Sequence, residues 1–147
     1  MMLKGLLFMD KKFKVLKIDH IAVAVNNIDH SKNIFELLGM EMGEQEPIEN
    51  ERVNVLKIKT NNKNHTIELL EPLDELSVVK KFIDKKGEGI HHIALQVDNV
   101  YNAIEFLKSK SVELVYQNPQ KGADNSLITF IHPSSTPGVL VELCQKS

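Results

Sequence analysis

The 147-residue chain has a single cysteine, Cys144, so it cannot close a disulfide within itself. That fits a reducing cytoplasm and removes every cysteine-based zinc motif from consideration. There is no basic excess either: 18 Lys and Arg stand against 20 Asp and Glu, a formal charge of -2. Nucleic-acid backbones call for the opposite balance, so no nucleic-acid partner is expected. Long hydrophobic runs are missing as well. The N-terminal "MMLKGLLFMDKK" holds an apolar run only from Gly5 to Met9, too short for a signal peptide or a spanning helix. It reads as a loose leader on a soluble protein with no membrane partner. The remaining composition, 42% hydrophobic and 26% charged, is ordinary for a globular protein, and the length suits one domain over residues 1–147.

What is present is a phrase written twice. "IDHIAVAVNNIDH" at 18–30 returns as "IHHIALQVDNVYN" at 90–102, 72 positions on. In register, Ile18 meets Ile90, His20 meets His92, Ala22 meets Ala94, Val25 meets Val97 and Asn27 meets Asn99. Helical patterns follow each copy, through Ile28, Ile34, Phe35 and Leu38 up to Gly39, and through Val100, Ala103, Ile104 and Leu107. Strand patterns come next: "RVNVLKIKT" and "HTIELLE" in the first copy, "LITFI" and "GVLVELC" in the second. Each copy reads as a βαβββ module, at about 14–72 and about 89–145. An amphipathic connector helix lies between them at about 73–88. A unit of about 55 residues is marginal alone, so two modules sharing a core are expected.

Strand residues alternate faces. Ile18, His20, Ala22 and Ala24 share one face and Asp19, Ile21, Val23 and Val25 the other. In the second copy Ile90, His92, Ala94 and Gln96 match the first set, and His91, Ile93, Leu95 and Val97 the second. The bulky faces are expected under the helices, and the faces carrying alanine and histidine are expected to line a ligand space. The terminal strands place Glu68 between Ile67 and Leu69, and Glu142 between Val141 and Leu143. A carboxylate framed by apolar neighbours on a strand is costly to bury without a partner.

A single strand histidine is usually structural and a single strand glutamate usually solvated, but here both types recur at matched places in both copies. His20, Glu68, His92 and Glu142 are therefore expected to hold one divalent metal ion. Neutral imidazole and carboxylate suit zinc, nickel, cobalt, manganese or iron. Such an ion polarises a carbonyl and stabilises an enolate. Repeat register selects His92 over His91, which is assigned a supporting or structural role. His30 is expected at the surface of the first helix, and His65 and His132 lie in a hairpin strand and a loop. Cys144 reads as a buried thiol.

With those residues in hand, the chain resembles the vicinal oxygen chelate superfamily and, within it, the methylmalonyl-CoA epimerase family. The carrying motifs are "IDHIAVAV", "HTIELLEP", "GEGIHHIALQVDNV" and "FIHPSSTPGVLVEL", from about Ile18 to Gln145. The resemblance implies an α+β fold of two tandem βαβββ modules forming a curved eight-stranded mixed sheet around a metal, usually in a homodimer. It implies a divalent cation, cobalt above all, with His20, His92 and Glu142 as ligands and Glu68 at the fourth position, where some relatives have glutamine. It also implies an acyl-CoA substrate whose C2 proton is removed on one face and returned on the other. Glu68 and Glu142, one per module, are the expected acid and base.

Two departures from the family's pattern stand out. Some relatives have a glutamate in the strand matching "RVNVL", where Asn54 and Val55 stand here, which would pass its task to Glu68, Glu49 or Glu51. The frequent "GAHG" is "GADN" at Gly122 to Asn125, beside Lys121, a candidate phosphate contact. Two rivals share the fold: lactoylglutathione lyase, which has the same four ligands but tends to carry a "PDG" turn where "HPSSTPG" stands here, and a metal-free small-molecule binding protein, which lacks the quartet.

Overall fold

A computed structural model describes residues 10–147. The expected N-terminal leader thus lies outside the described residues. The strands are β1 (Val15–Ala24), β2 (Glu41–Ile48), β3 (Val53–Lys59), β4 (Thr66–Pro72), β5 (Gly89–Val97), β6 (Gln120–Lys121), β7 (Leu127–Ile131) and β8 (Leu140–Gln145). The helices are α1 (Ile28–Ser31), α2 (Asn33–Leu37), α3 (Val78–Lys86) and α4 (Val100–Ser109). The expected α+β class is found: eight strands in mixed pairing, ordered β2-β3-β4-β1-β5-β8-β7-β6. Among the described residues no helix is long and apolar enough to cross a membrane.

The chain divides into two compact units, Ile18–Ala94 and a second joining Leu95–Ser147 to the segment that ends at Lys17. In the first unit β1 lies parallel to β4, while β3 runs antiparallel to both β2 and β4. Its core gathers Val25, Ile28, Leu56, Ile58 and Leu69, with Val23 and Phe35 packed against them. Burying each such aliphatic side chain contributes about 1.5–3 kcal/mol. In the second unit β7 pairs antiparallel with β6 and β8. Its core gathers Phe13, Val97, Val100, Ala103, Ile104, Leu114 and Leu143, with Leu95 against them. Of the bulky strand faces, Val23 and Val25 pack with Ile28 in the first unit and Leu95 and Val97 with Val100 in the second, while Ile21 is exposed.

The repeated asparagine has a plain cause. Asn27 caps α1 by accepting from the backbone N–H of His30 at 2.8 Å, and Asn99 caps α4 by accepting from that of Asn102 at 2.9 Å. The next residues, Ile28 and Val100, are fully buried in their cores. Asparagine thus starts the helix that follows the strand, at the same register position in each copy.

Three readings need revision. The first helical stretch is two short helices meeting at Lys32 rather than one, and Ile34 and Leu38 are exposed. Ile34 sits about 100° around the helix from Phe35, and Leu38 lies past the last helical residue. Two strands also escaped the pattern, β2 and β6. The sequence of β2, "EMGEQEPI", alternates poorly, contains Pro47, and carries a register shift between Met42 and Gln45. Pro47 is tolerated because β2 stands outermost in the strand order.

Candidate metal centre

The predicted ligands are distributed over four strands: His20 on β1, Glu68 on β4, His92 on β5 and Glu142 on β8. Their exposures are 5%, 5%, 4% and 7%, and among the described residues no other histidine or carboxylate is as deeply buried. Four ionisable side chains withdrawn from water in this way are expensive unless they share partners or a cation.

In the first unit the parallel pairing sets Ala22 opposite Glu68, so the glutamate side chain falls on the face that carries His20. One Glu68 oxygen, Oε2, lies 3.3 Å from His20 Nδ1. On the other side of the imidazole, His20 Nε2 lies 3.4 Å from His92 Nε2, and the two rings meet edge to face with centroids 5.5 Å apart. Two imidazole nitrogens bound to one tetrahedral ion at about 2.0–2.1 Å each lie about 3.3–3.4 Å from each other. The spacing of this pair therefore fits a shared first-row divalent cation, and mixed nitrogen and oxygen donors suit such ions. In the second unit Glu142 stands opposite Phe130 across β7 and β8, and Cys144 beside it on the same strand is buried, as expected.

One participant was not read from the sequence. Asp19 Oδ2 lies 2.7 Å from His20 Nδ1, closer than Glu68, although strand alternation assigns Asp19 to the opposite face. Asp19, His20 and Glu68 together form a grouping close enough to hold a cation. The available signal was repeat register, since Asp19 occupies in the first copy the place of His91 in the second. His91 supports its neighbour in a similar way: its Nδ1 lies 2.9 Å from His92 Nδ1, and its ring stacks edge-on against Phe82 at 5.0 Å. Lys57 stands directly across from Glu68 on β3, another cation near the buried acid that the sequence alone did not single out.

The other candidates take peripheral places. His30 and His65 are exposed, as is His132, whose Nδ1 accepts from the backbone N–H of Ser134 at 3.0 Å. Lys121 is exposed on β6. Asp124 and Asn125 both take left-handed backbone angles. Asn54 Nδ2 donates to Gln45 Oε1 at 2.7 Å, so this strand position is held by an amide pair between β3 and β2. Glu49 is exposed and Glu51 half-buried, and the half-buried carboxylate nearest Asn54 along β2 is Glu46, paired with Val55.

Comparison with known proteins places this geometry in context. The model of the Glyoxalase/Bleomycin resistance protein/Dioxygenase superfamily matches residues 19–130. The chain is 33% identical over 137 residues to the mitochondrial methylmalonyl-CoA epimerase of Dictyostelium discoideum, covering 92% of this chain and 81% of that one. Among solved structures, the methylmalonyl-CoA epimerase of Mycobacterium tuberculosis superposes with a TM-score of 0.87 at 33% identity, over 97% of this chain and 95% of that one. A variant of the Streptomyces coelicolor enzyme in complex with 2-nitronate-propionyl-CoA gives a TM-score of 0.86 at 33% identity, over 91% and 96%.

Proposed function

The chain belongs to the glyoxalase, bleomycin resistance protein and dioxygenase superfamily, and on that premise we infer that it is a metal-dependent epimerase that inverts C2 of methylmalonyl-CoA. The relatives reported above are named as isomerases of this kind, and one was solved with an acyl-CoA bound. The same comparisons favour this reading over lactoylglutathione lyase. The observation that carries the metal dependence is the buried pair His20 and His92, with facing Nε2 atoms 3.4 Å apart. His20, Glu68, His92 and Glu142 are the proposed ligands, each buried and each matched by its counterpart in the other module.

A divalent ion held by these residues supplies positive charge where the thioester oxygen gains electron density as C2 loses its proton. The chain's own side chains do the rest. One of Glu68 and Glu142 takes the C2 proton, and the other returns a proton to the opposite face of the planar carbon. The low exposure of His20, Glu68 and His92 keeps water from competing for the exchanged proton. Cobalt as the ion, a homodimer as the assembly, the cytoplasm as the compartment and one functional domain over both modules complete the proposal, all on the strength of the family resemblance.

The test is incubation of cobalt-loaded protein with methylmalonyl-CoA in deuterated water, following C2 by NMR. Deuterium entry with scrambling of configuration is expected. No exchange by metal-loaded protein removes the epimerase reading, and turnover of the methylglyoxal and glutathione adduct would put lactoylglutathione lyase in its place.

A further inference from the structure

At the centre of the repeat the residue before each histidine differs, Asp19 in one copy and His91 in the other. Both are nevertheless turned onto the same atom, the Nδ1 of the histidine that follows: Asp19 Oδ2 at 2.7 Å from His20 and His91 Nδ1 at 2.9 Å from His92. The opposite ring nitrogens, the two Nε2 atoms, face each other at 3.4 Å. The geometry points to Asp19 and His91 as positioning residues, each holding Nδ1 of its neighbour so that His20 and His92 offer Nε2 to one divalent cation. This inference rests on the reading of His20 and His92 as ligands and adds how their rings are oriented.

The hydrogen positions follow from donor and acceptor chemistry. An ionised carboxylate only accepts, so His20 Nδ1 carries the hydrogen and the lone pair of the neutral ring sits on Nε2. The second copy reaches the same result by a different route. For His92 to present the lone pair of Nε2, its Nδ1 must donate, and His91 Nδ1 must accept. That requirement fixes His91 as the tautomer with hydrogen on Nε2, in a ring braced edge-on by Phe82 at 5.0 Å.

The two supports are unequal. An anionic acceptor on the far nitrogen makes an imidazole a better donor to a metal, and loss of such a partner typically weakens metal affinity about 10- to 100-fold. A neutral imidazole acceptor orients the ring with a smaller electronic effect. His20 is therefore the stronger of the two nitrogen ligands, and removing Asp19 weakens binding more than removing His91.

The experiment uses the full chain, labelled with 15N and loaded with zinc, a diamagnetic ion. Long-range proton–nitrogen correlation spectra report which ring nitrogen binds metal and which carries hydrogen. Expected are zinc on Nε2 and hydrogen on Nδ1 for both His20 and His92, with hydrogen on Nε2 for His91. By zinc competition titration, Asp19→Ala is expected to bind about 10- to 100-fold more weakly. His91→Phe, which keeps an aromatic ring against Phe82, should lose less. Asp19→Asn, with an acceptor oxygen retained, should recover part of the loss. Zinc on Nδ1 of either ligand, or unchanged affinity in both Asp19→Ala and His91→Phe, overturns the orientation while leaving the ligand assignment standing. No zinc uptake by the wild-type protein overturns the assignment and the orientation together. The wild-type spectrum decides the question even where a variant fails to fold.

Discussion

His20 and His92 are 72 residues apart in the chain, yet their Nε2 atoms lie 3.4 Å from each other in a buried setting. A repeat that matches one histidine of each copy in register becomes, through adjacent strands, a pair with the spacing of two ligands on one ion.

Replacing either member of the pair should abolish tight binding. His20→Ala and His92→Ala are expected to retain less than a tenth of the bound cobalt of the wild-type protein after dialysis against metal-free buffer, measured by elemental analysis. His91→Ala, which removes a support and not a ligand, should still take up stoichiometric metal at saturating concentration. Equal loss in His91→Ala and His92→Ala would show that the register separating the two has been misread.

Metal should also stabilise the fold. An ion that binds only the folded chain adds about 2.7 kcal/mol at a free concentration one hundred times its Kd. Thermal unfolding should therefore shift upward with added cobalt and return to its starting point with excess chelator. The same titration on His20→Ala should leave Tm flat. A flat response in the wild-type protein would mean that the four buried side chains satisfy one another without a cation.

A backbone prediction concerns Gly43 in β2. A Cβ at this position would lie 2.9 Å from the backbone oxygen of Lys57, too close for any real contact. Because the neighbour is backbone, β2 and β3 must part or the bulge between Met42 and Gln45 must shift. Gly43→Ala should destabilise the chain by about 1–3 kcal/mol, read from the denaturant midpoint. Gly39, whose φ of 81° ends α2, has open space where a Cβ would go and so is constrained by conformation alone.

Asp74 carries a pH prediction. Its carboxyl is held below the ordinary aspartate value of 3.8, first by the backbone N–H of Leu76 and then by Arg52, whose guanidinium donates to Oδ2 at 2.7 Å. A depressed folded value means that the stabilising contribution is complete above 3.8 and is lost as pH falls through the lower, folded midpoint. Carboxyl carbon shifts followed from neutral pH downward should place the Asp74 midpoint below 3.8, and Arg52→Gln should move it back up. The pair is solvent-exposed, so the effect on global stability should be small.

Much of this site was legible in the sequence, and the illegible parts have definite causes. Period-two alternation carried His20, Glu68, His92 and Glu142 to buried positions, whereas the capping role of the matched Asn27 and Asn99 emerged only with the structure. The same alternation concealed Asp19, because a rule about faces says nothing of a side chain that reaches around its own backbone to the next residue. Strand β2 was hidden by Gly43 and Pro47, which an outermost bulged strand accepts, and β6 by having only Gln120 and Lys121. The helix after β1 appeared longer than it is because Ile34 and Leu38 extend an apolar pattern that packing does not use.

The proposed division of labour between the two glutamates makes the sharpest kinetic prediction. If Glu68 and Glu142 serve opposite faces of C2, then replacing one leaves the other able to take the proton from a single epimer. Glu68→Gln should lower epimerisation by about 10²- to 10⁴-fold. It should still exchange the C2 hydrogen of one epimer with solvent deuterium, with retention of configuration, and leave the other epimer nearly inert. Glu142→Gln should show the reverse preference. Glutamine preserves the size and a ligating oxygen, so metal content measured alongside separates loss of a base from loss of a ligand. Equal exchange of both epimers by Glu68→Gln at full metal occupancy would move proton transfer to another carboxylate, with Glu46 on β2 the first to replace.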